Sequence, residues 1–125
     1  MCDIGQKNED SMFNQNLKGD FSKDFPIERF KSLIDEVQFF KPYLSASTTE
    51  PLLYAPMFDA VRYARSKNLL MNVTTNGVFI EKRVDEILDS GLHRLSVSID
   101  GPRAIHDEMR GLSGGYDKIM NGSKL

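Results

Sequence analysis

Residues 69–102, LLMNVTTNGVFIEKRVDEILDSGLHRLSVSIDGP, hold two strands and the helix that joins them. Leu69-Leu70-Met71-Asn72-Val73-Thr74 is a mostly apolar run of strand length, as a buried strand of a parallel sheet requires, and Thr75-Asn76-Gly77 ends it with turn-forming residues. A helix is predicted from about Glu81 to Ser90 with Val84, Ile87 and Leu88 on its inner face. Gly91 is placed to close it in the left-handed conformation. The second strand is the clearer one: Leu95, Val97 and Ile99 alternate with Ser96 and Ser98, then break at Asp100-Gly101-Pro102. Strand, helix and strand in this order give parallel neighbours joined by a right-handed crossover.

Working upstream, Ile27, Phe30, Leu33, Ile34, Val37 and Phe40 recur at three- and four-residue spacing, the stripe of an amphipathic helix. Pro26 suits its first turn and Pro42 forces a stop; the Phe39-Phe40 pair is expected in the core rather than as a stacking platform. Tyr43-Leu44-Ser45-Ala46-Ser47 reads as a strand ending in Thr48-Thr49-Glu50-Pro51. A helix begins near Pro56, carries Met57, Val61 and Ala64 inward, and ends around Lys67-Asn68. Downstream, Tyr116, Ile119 and Met120 begin a last helical pattern. The alternation is that of an α/β chain, a partial parallel (βα) barrel with about three βα units over residues 25–125. A full (βα)8 barrel takes ~250 residues, so the pattern is a slice of a larger one. Residues 1–24 are polar, with Met12, Phe13, Leu17 and Phe21 out of any period, and read as a loop or mobile arm.

Composition excludes several classes. The 125 residues carry 16 Lys plus Arg against 18 Asp plus Glu, a formal charge of −2. The acidic excess lies in residues 1–24, where Asp3, Glu9, Asp10, Asp20 and Asp24 outnumber Lys7, Lys18 and Lys23. No basic face is left to neutralise phosphates, so nucleic acid is not expected as a partner. No apolar run nears the ~20 residues that span a bilayer, and no signal peptide is expected from the opening residues. One cysteine, Cys2, excludes an internal disulfide and leaves the reducing cytoplasm as the default compartment.

In parallel α/β folds ligands bind at the carboxyl ends of the strands. All three strands end there in polar turns: Thr48-Thr49-Glu50-Pro51, Thr74-Thr75-Asn76-Gly77 and Ser98-Ile99-Asp100-Gly101. Two carboxylates, an amide and several hydroxyls around one cleft suit a small zwitterionic or sugar-bearing ligand, with Glu50 accepting from an ammonium and Asn76 from hydroxyls. Each residue has a plainer reading: Glu50 as a solvated loop acid, Asn76-Gly77 and Asp100-Gly101-Pro102 as turn formers, Ser98 as the outward residue of an alternating strand. Arg110 reads equally as a surface arginine paired with Glu108 or Asp107, and His93 and His106 as structural or solvent-facing. A non-radical βα-barrel lyase using Glu50 and Asp100 as acid and base, and a non-catalytic nucleoside- or partner-binding module, are the competing classes. The lyase would want a lysine or metal trio at the strand ends, and none stands there.

The runs TTEPLLYAPMFDAVRYARSKNLLMNVTTNGVFI (48–80) and SGLHRLSVSIDGPRAIHDEMRG (90–111) resemble radical SAM enzymes, particularly the subgroup with a C-terminal SPASM or related accessory domain. Met1-Cys2-Asp3-Ile4-Gly5 is similar to the tail of that family's CxxxCxxC loop, with Cys2 at the third cysteine, and the first two would precede residue 1. The resemblance implies a [4Fe-4S] cluster and S-adenosylmethionine as cofactors, a reductant protein as partner, and reductive cleavage to a 5′-deoxyadenosyl radical. Its substrate (peptide, protein side chain or small molecule) is left open.

Residue by residue, the resemblance implies Cys2 as a cluster ligand. Thr48-Thr49-Glu50-Pro51 falls on the GGEP motif that holds the amino group of S-adenosylmethionine, with Thr48 and Thr49 in place of two glycines. Thr75-Asn76-Gly77 falls on a turn near the ribose and methionine portion. Ser98 would bind the methionine carboxylate or ribose, Asp100 would face the substrate as a catalytic residue, and Arg110 would pair with the methionine carboxylate. A single thiolate is expected to hold no stable cluster by itself, which iron analysis after anaerobic reconstitution checks.

Overall fold

The computed structural model describes residues 25–47 and 50–124. The expectations attached to residues 1–24, Cys2 among them, and to Thr48 and Thr49 lie outside the described residues. Three strands, β1 (Tyr43–Ala46), β2 (Leu70–Thr75) and β3 (Arg94–Val97), form one parallel sheet in the order β1-β2-β3. Among the described residues five α-helices accompany them: α1 (Ile27–Val37), α2 (Met57–Ser66), α3 (Ile80–Asp89), α4 (Arg103–Arg110) and α5 (Gly115–Gly122). This is an α/β chain with the connectivity of a partial βα barrel, as the alternation of patterns predicts.

Alternation of side chains gives the sheet two unlike faces. Leu44, Ala46, Met71, Val73, Leu95 and Val97 belong to the main core with Leu52, Met57, Phe58, Val61 and Ile80. Phe58 and Val73 are wholly buried there. A smaller cluster of Ile34, Ala64 and Leu69 seats α1 on α2, and Tyr63 donates its hydroxyl to the Asp35 carboxylate across that seam at 2.8–2.9 Å. On the other face the strands present Ser45, Asn72, Thr74 and Ser96, which hydrogen-bond to one another.

Four details depart from the sequence reading. Helix α1 gives way after Val37 to a 3-10 turn over Gln38–Phe40, and Lys41 ends it in the left-handed region at φ 48°. The change of winding rotates Phe39 and Phe40 off the buried stripe, and both are 84% exposed, so neither is core. Leu88 and Ile99 are also exposed, because α3 turns only Val84 and Ile87 partly inward and β3 ends at Val97 before Ile99 can continue the alternation. Finally, α4 is a helix of its own between β3 and α5. Pro102 precedes it and Gly111 closes it at φ 61°.

Helices α4 and α5 are joined by a cap supplied from α4. The Asp107 carboxylate accepts from the backbone N–H of Gly114 at 2.7 Å and of Tyr116 at 2.8 Å, which satisfies free amides at the start of α5. Ile119 of α5 then packs against Gly77, the turn that follows β2. A Cβ on Gly77 would lie 2.8 Å from Ile119 Cγ1 and 2.8 Å from Val97 Cγ1, and its φ is +82°. Only glycine satisfies both the conformation and the space.

Candidate functional site

The carboxyl ends of β1, β2 and β3 meet on one edge of the sheet. Glu50 follows the β1 ending and caps the 3-10 turn Pro51–Leu53 through a bond from Leu52 N to Oε1 at 3.1 Å. The same oxygen accepts from Thr75 Oγ1 at 2.5 Å, and Oε2 accepts from the backbone N–H of Asn76 at 2.7 Å. Glu50 is therefore no free loop acid: it ties the end of β1 to the end of β2. Described residues take three of its four lone-pair positions, and none of them fills the fourth, on Oε2. The loop it anchors is fastened again by Arg83 of α3, whose guanidinium donates to Leu52 O at 2.9 Å and to Ala55 O at 3.3 Å.

Asn76 serves the turn first. Its Oδ1 accepts from Val78 N at 3.0 Å, an Asx turn that starts the path into α3, while Thr75 Oγ1 accepts from Gly77 N at 3.0 Å. The acceptor expected of Asn76 is thus partly spent on its own backbone, and Nδ2 is the atom with no bond to the described residues. Ser98 extends the β2–β3 ladder by donating its N–H to Thr75 O at 3.0 Å, with its side chain half-buried.

Asp100 and Arg110 are brought together by the turn into α4. Arg110 grips Asp100 with two parallel bonds, Nε to Oδ2 and Nη2 to Oδ1, the latter at 3.0 Å. Arg110 therefore pairs with neither Glu108 nor Asp107, and Asp107 is occupied by the α5 cap. The guanidinium of Arg110 holds the Asp100 carboxyl below the usual carboxylate range. A carboxylate so held is poorly suited to carry a proton near neutrality, which weighs against the acid–base lyase reading. The same pairing fixes one side of the Arg110 guanidinium.

His106 is 2% exposed beneath this pair. Its Nδ1 accepts the backbone N–H of Asp100 at 3.3 Å, and its ring meets Tyr116 edge-on at 6.0 Å between centroids. It is structural, fixing the turn that sets Asp100. Sequence reasoning places Thr75 in the turn and His106 as structural but misses the bonds they make to Glu50 and to the Asp100 backbone. It does not single out Asn72, for which a signal exists, a polar residue breaking an otherwise apolar run.

Among the described residues no group of three His, Cys, Asp or Glu side chains could hold a metal ion. A [4Fe-4S] cluster normally takes three or four thiolates, and this sequence has one cysteine. The described residues include no cysteine and so cannot hold a cluster by themselves. They offer instead an acceptor at the end of β1, Glu50 Oε2, and donors at the ends of β2 and β3, Asn76 Nδ2 and the Ser98 hydroxyl.

The sequence profile of the Radical SAM superfamily matches residues 1–125. Among curated proteins, an "AdoMet-dependent heme synthase" of Methanosarcina barkeri is 38% identical over 105 residues, which cover 82% of this chain and 30% of that protein. An "Fe-coproporphyrin III synthase" of the same organism is 31% identical over 105 residues, 82% of this chain and 26% of its own. A "GTP 3',8-cyclase" of Limosilactobacillus fermentum is 28% identical over 109 residues, 78% and 32% respectively. The chain spans less than a third of the length of these relatives. No helix among the described residues is long and apolar enough to cross a membrane.

Proposed function

The chain belongs to the radical SAM superfamily, and from that premise we propose that residues 25–124 form the part of an enzyme core that binds S-adenosylmethionine. The observation that carries this reading is the Glu50 carboxylate, fastened across β1 and β2 with one acceptor position that no described residue fills. When bound, S-adenosylmethionine and a [4Fe-4S] cluster supply reductive sulfur–carbon cleavage and hydrogen abstraction from a substrate.

This chain's own residues bind and orient. Glu50 accepts the ammonium of the methionine portion on Oε2. Asn76 donates through Nδ2 and Ser98 through its hydroxyl to ribose or carboxylate oxygens. Arg110 keeps its Nη1 donors for the carboxylate while Asp100 fixes the other side of the guanidinium, so Asp100 is a positioning residue. Cys2 as a cluster ligand, Thr48 and Thr49 as backbone donors, residues 1–24 as the remnant of a cluster loop, a protein reductant and the SPASM-type subgroup belong to the same proposal. They are supported by the register of Cys2-Asp3 with Thr48-Thr49-Glu50-Pro51 and Thr75-Asn76-Gly77 along one chain. The relatives' names divide between heme-type synthases and a GTP cyclase, so the proposed reaction is limited to the chemistry they share.

Titrating the isotope-labelled chain with S-adenosylmethionine tests the proposal. Amide signals of Leu52, Asn76 and Ser98 should move together, and Glu50→Ala should weaken binding about tenfold or more, as loss of a charge-assisted bond does. Shifts confined to other residues, or an unchanged affinity in Glu50→Ala, would overturn it.

A further inference from the structure

The face of the sheet opposite the helices carries a second arrangement that the Glu50 site does not use. Asn72 is 9% exposed at the centre of β2. Its Nδ2 donates to Ser45 Oγ at 3.4 Å and Thr74 Oγ1 at 3.1 Å, while Oδ1 accepts from Ser96 Oγ at 2.9 Å. One amide thus orders hydroxyls on all three strands. Ser45 and Thr74 accept from it, so their own protons are directed elsewhere and remain as donors. Asn72 is paired in register with Arg94, which places that arginine on the same face as Ser96 and Ser98. Arg94 is exposed and makes no ion pair with the described residues. Between Tyr43 and Ser98 the three strands put no carboxylate on this face to compete for it.

From this placement we infer that Arg94, with the Ser45 and Thr74 hydroxyls ordered by Asn72, binds a carboxylate group of the substrate. One planar guanidinium and neutral donors match one negative charge. A phosphate dianion would set two charges against this one cation, whereas a polyacid sets one carboxylate there and leaves its others in solvent, and no second cation stands on these strands' shared face. Arg94 lies four residues before Ser98, roughly 13 Å along the strand. The inference rests on the S-adenosylmethionine reading: the substrate's acid group sits toward Arg94 at the start of β3 while its reacting carbon faces the nucleoside at the carboxyl ends of the strands. It is thereby a molecule that is long relative to an amino acid and acidic at one end.

The test is a magnetic-resonance titration of the isotope-labelled 125-residue chain with propane-1,2,3-tricarboxylate. The Asn72 side-chain amide and the backbone amides of Ser45, Thr74 and Ser96 should shift. Arg94→Gln should weaken the interaction about tenfold, Arg94→Lys less, and the neutral trimethyl ester should shift nothing. Because Arg94 is exposed, both variants should keep the wild-type spectrum elsewhere. Equal shifts with the ester, an Arg94→Gln variant that binds as before, or tighter binding of inorganic phosphate than of the tricarboxylate would each overturn the inference. S-adenosylmethionine reports on Leu52, Asn76 and Ser98 instead. A silent nucleoside titration beside a normal tricarboxylate response removes the nucleoside site alone; the reverse removes the carboxylate site alone.

Discussion

The two faces of the sheet are built from the same three strands and obey opposite rules. On the helix side Met71, Val73, Leu95 and Val97 fill space against Phe58, Val61 and Ile80. On the other side Ser45, Asn72, Thr74 and Ser96 fill hydrogen-bonding positions. The interior of an ordinary βα barrel is packed with branched apolar side chains. Small polar residues in those places do little to hold strands together and keep room beside them. The helix side holds the fold, and the polar side is kept for a ligand.

The largest effect expected from testing that contrast is on the helix side. Phe58 has no solvent exposure and lies under the Arg83 guanidinium, 4.9 Å from its ring centroid. Phe58→Ala should cost ~3–5 kcal/mol, the range for a buried aromatic truncated to a cavity. A fall in the urea midpoint with unchanged slope checks it. A loss below about 1 kcal/mol, the ordinary effect of a single substitution, would show that this face is not the core.

Next comes the hinge between the faces. Gly77→Ala must place a methyl group 2.8 Å from both Ile119 and Val97 in a left-handed backbone. Strain of that kind with overpacking should cost about 2–4 kcal/mol. It should also disturb the Asn76 turn, so binding of S-adenosylmethionine should weaken in samples that remain folded. Asn72→Ala on the polar side should cost less, about 1–2 kcal/mol, since it strands the Ser96 hydroxyl rather than emptying a core. Its thermal midpoint should drop only modestly, while the response to tricarboxylate disappears. If Asn72→Ala proved as costly as Phe58→Ala, the division between a holding face and a binding face would fall.

Legibility in the sequence follows the same division. Strand β2 and helices α2 and α3 can be placed to within a residue or so, and β3 to within two, because burial writes a period into the chain. Helix α4 leaves almost no period: in Arg103–Arg110 only Ile105 and Met109 are large and apolar, and both are substantially exposed. Its marks are punctuation, Pro102 before and Gly111 after. The strand-end residues of the site can be named from turn chemistry and family resemblance. Their bonds cannot, because Glu50 meets Thr75 and Asn76 across 25 and 26 residues of chain, and Arg110 meets Asp100 only through the fold of α4.

The smallest effect separates two aspartates of α4 and its approach. Asp107 is held below the usual carboxylate range by its bond from the Tyr116 backbone and then that from Gly114, and Asp100 by Arg110. For both, the folded value lies under the unfolded one near ~4. Their stabilising contribution is therefore complete above that pH and is lost as pH falls through the lower folded value. The thermal midpoint should hold from neutrality to about pH 5 and drop below about pH 4, with Asp107→Asn and Asp100→Asn each flattening that drop. Salt tells them apart. Asp100 faces a partly exposed guanidinium, so its share should shrink at high ionic strength, whereas Asp107 accepts from neutral backbone amides and should keep its share. Equal salt sensitivity would mean that Asp107 acts through charge rather than as the cap of α5, and the α4–α5 junction would then be an electrostatic contact like that of Asp100.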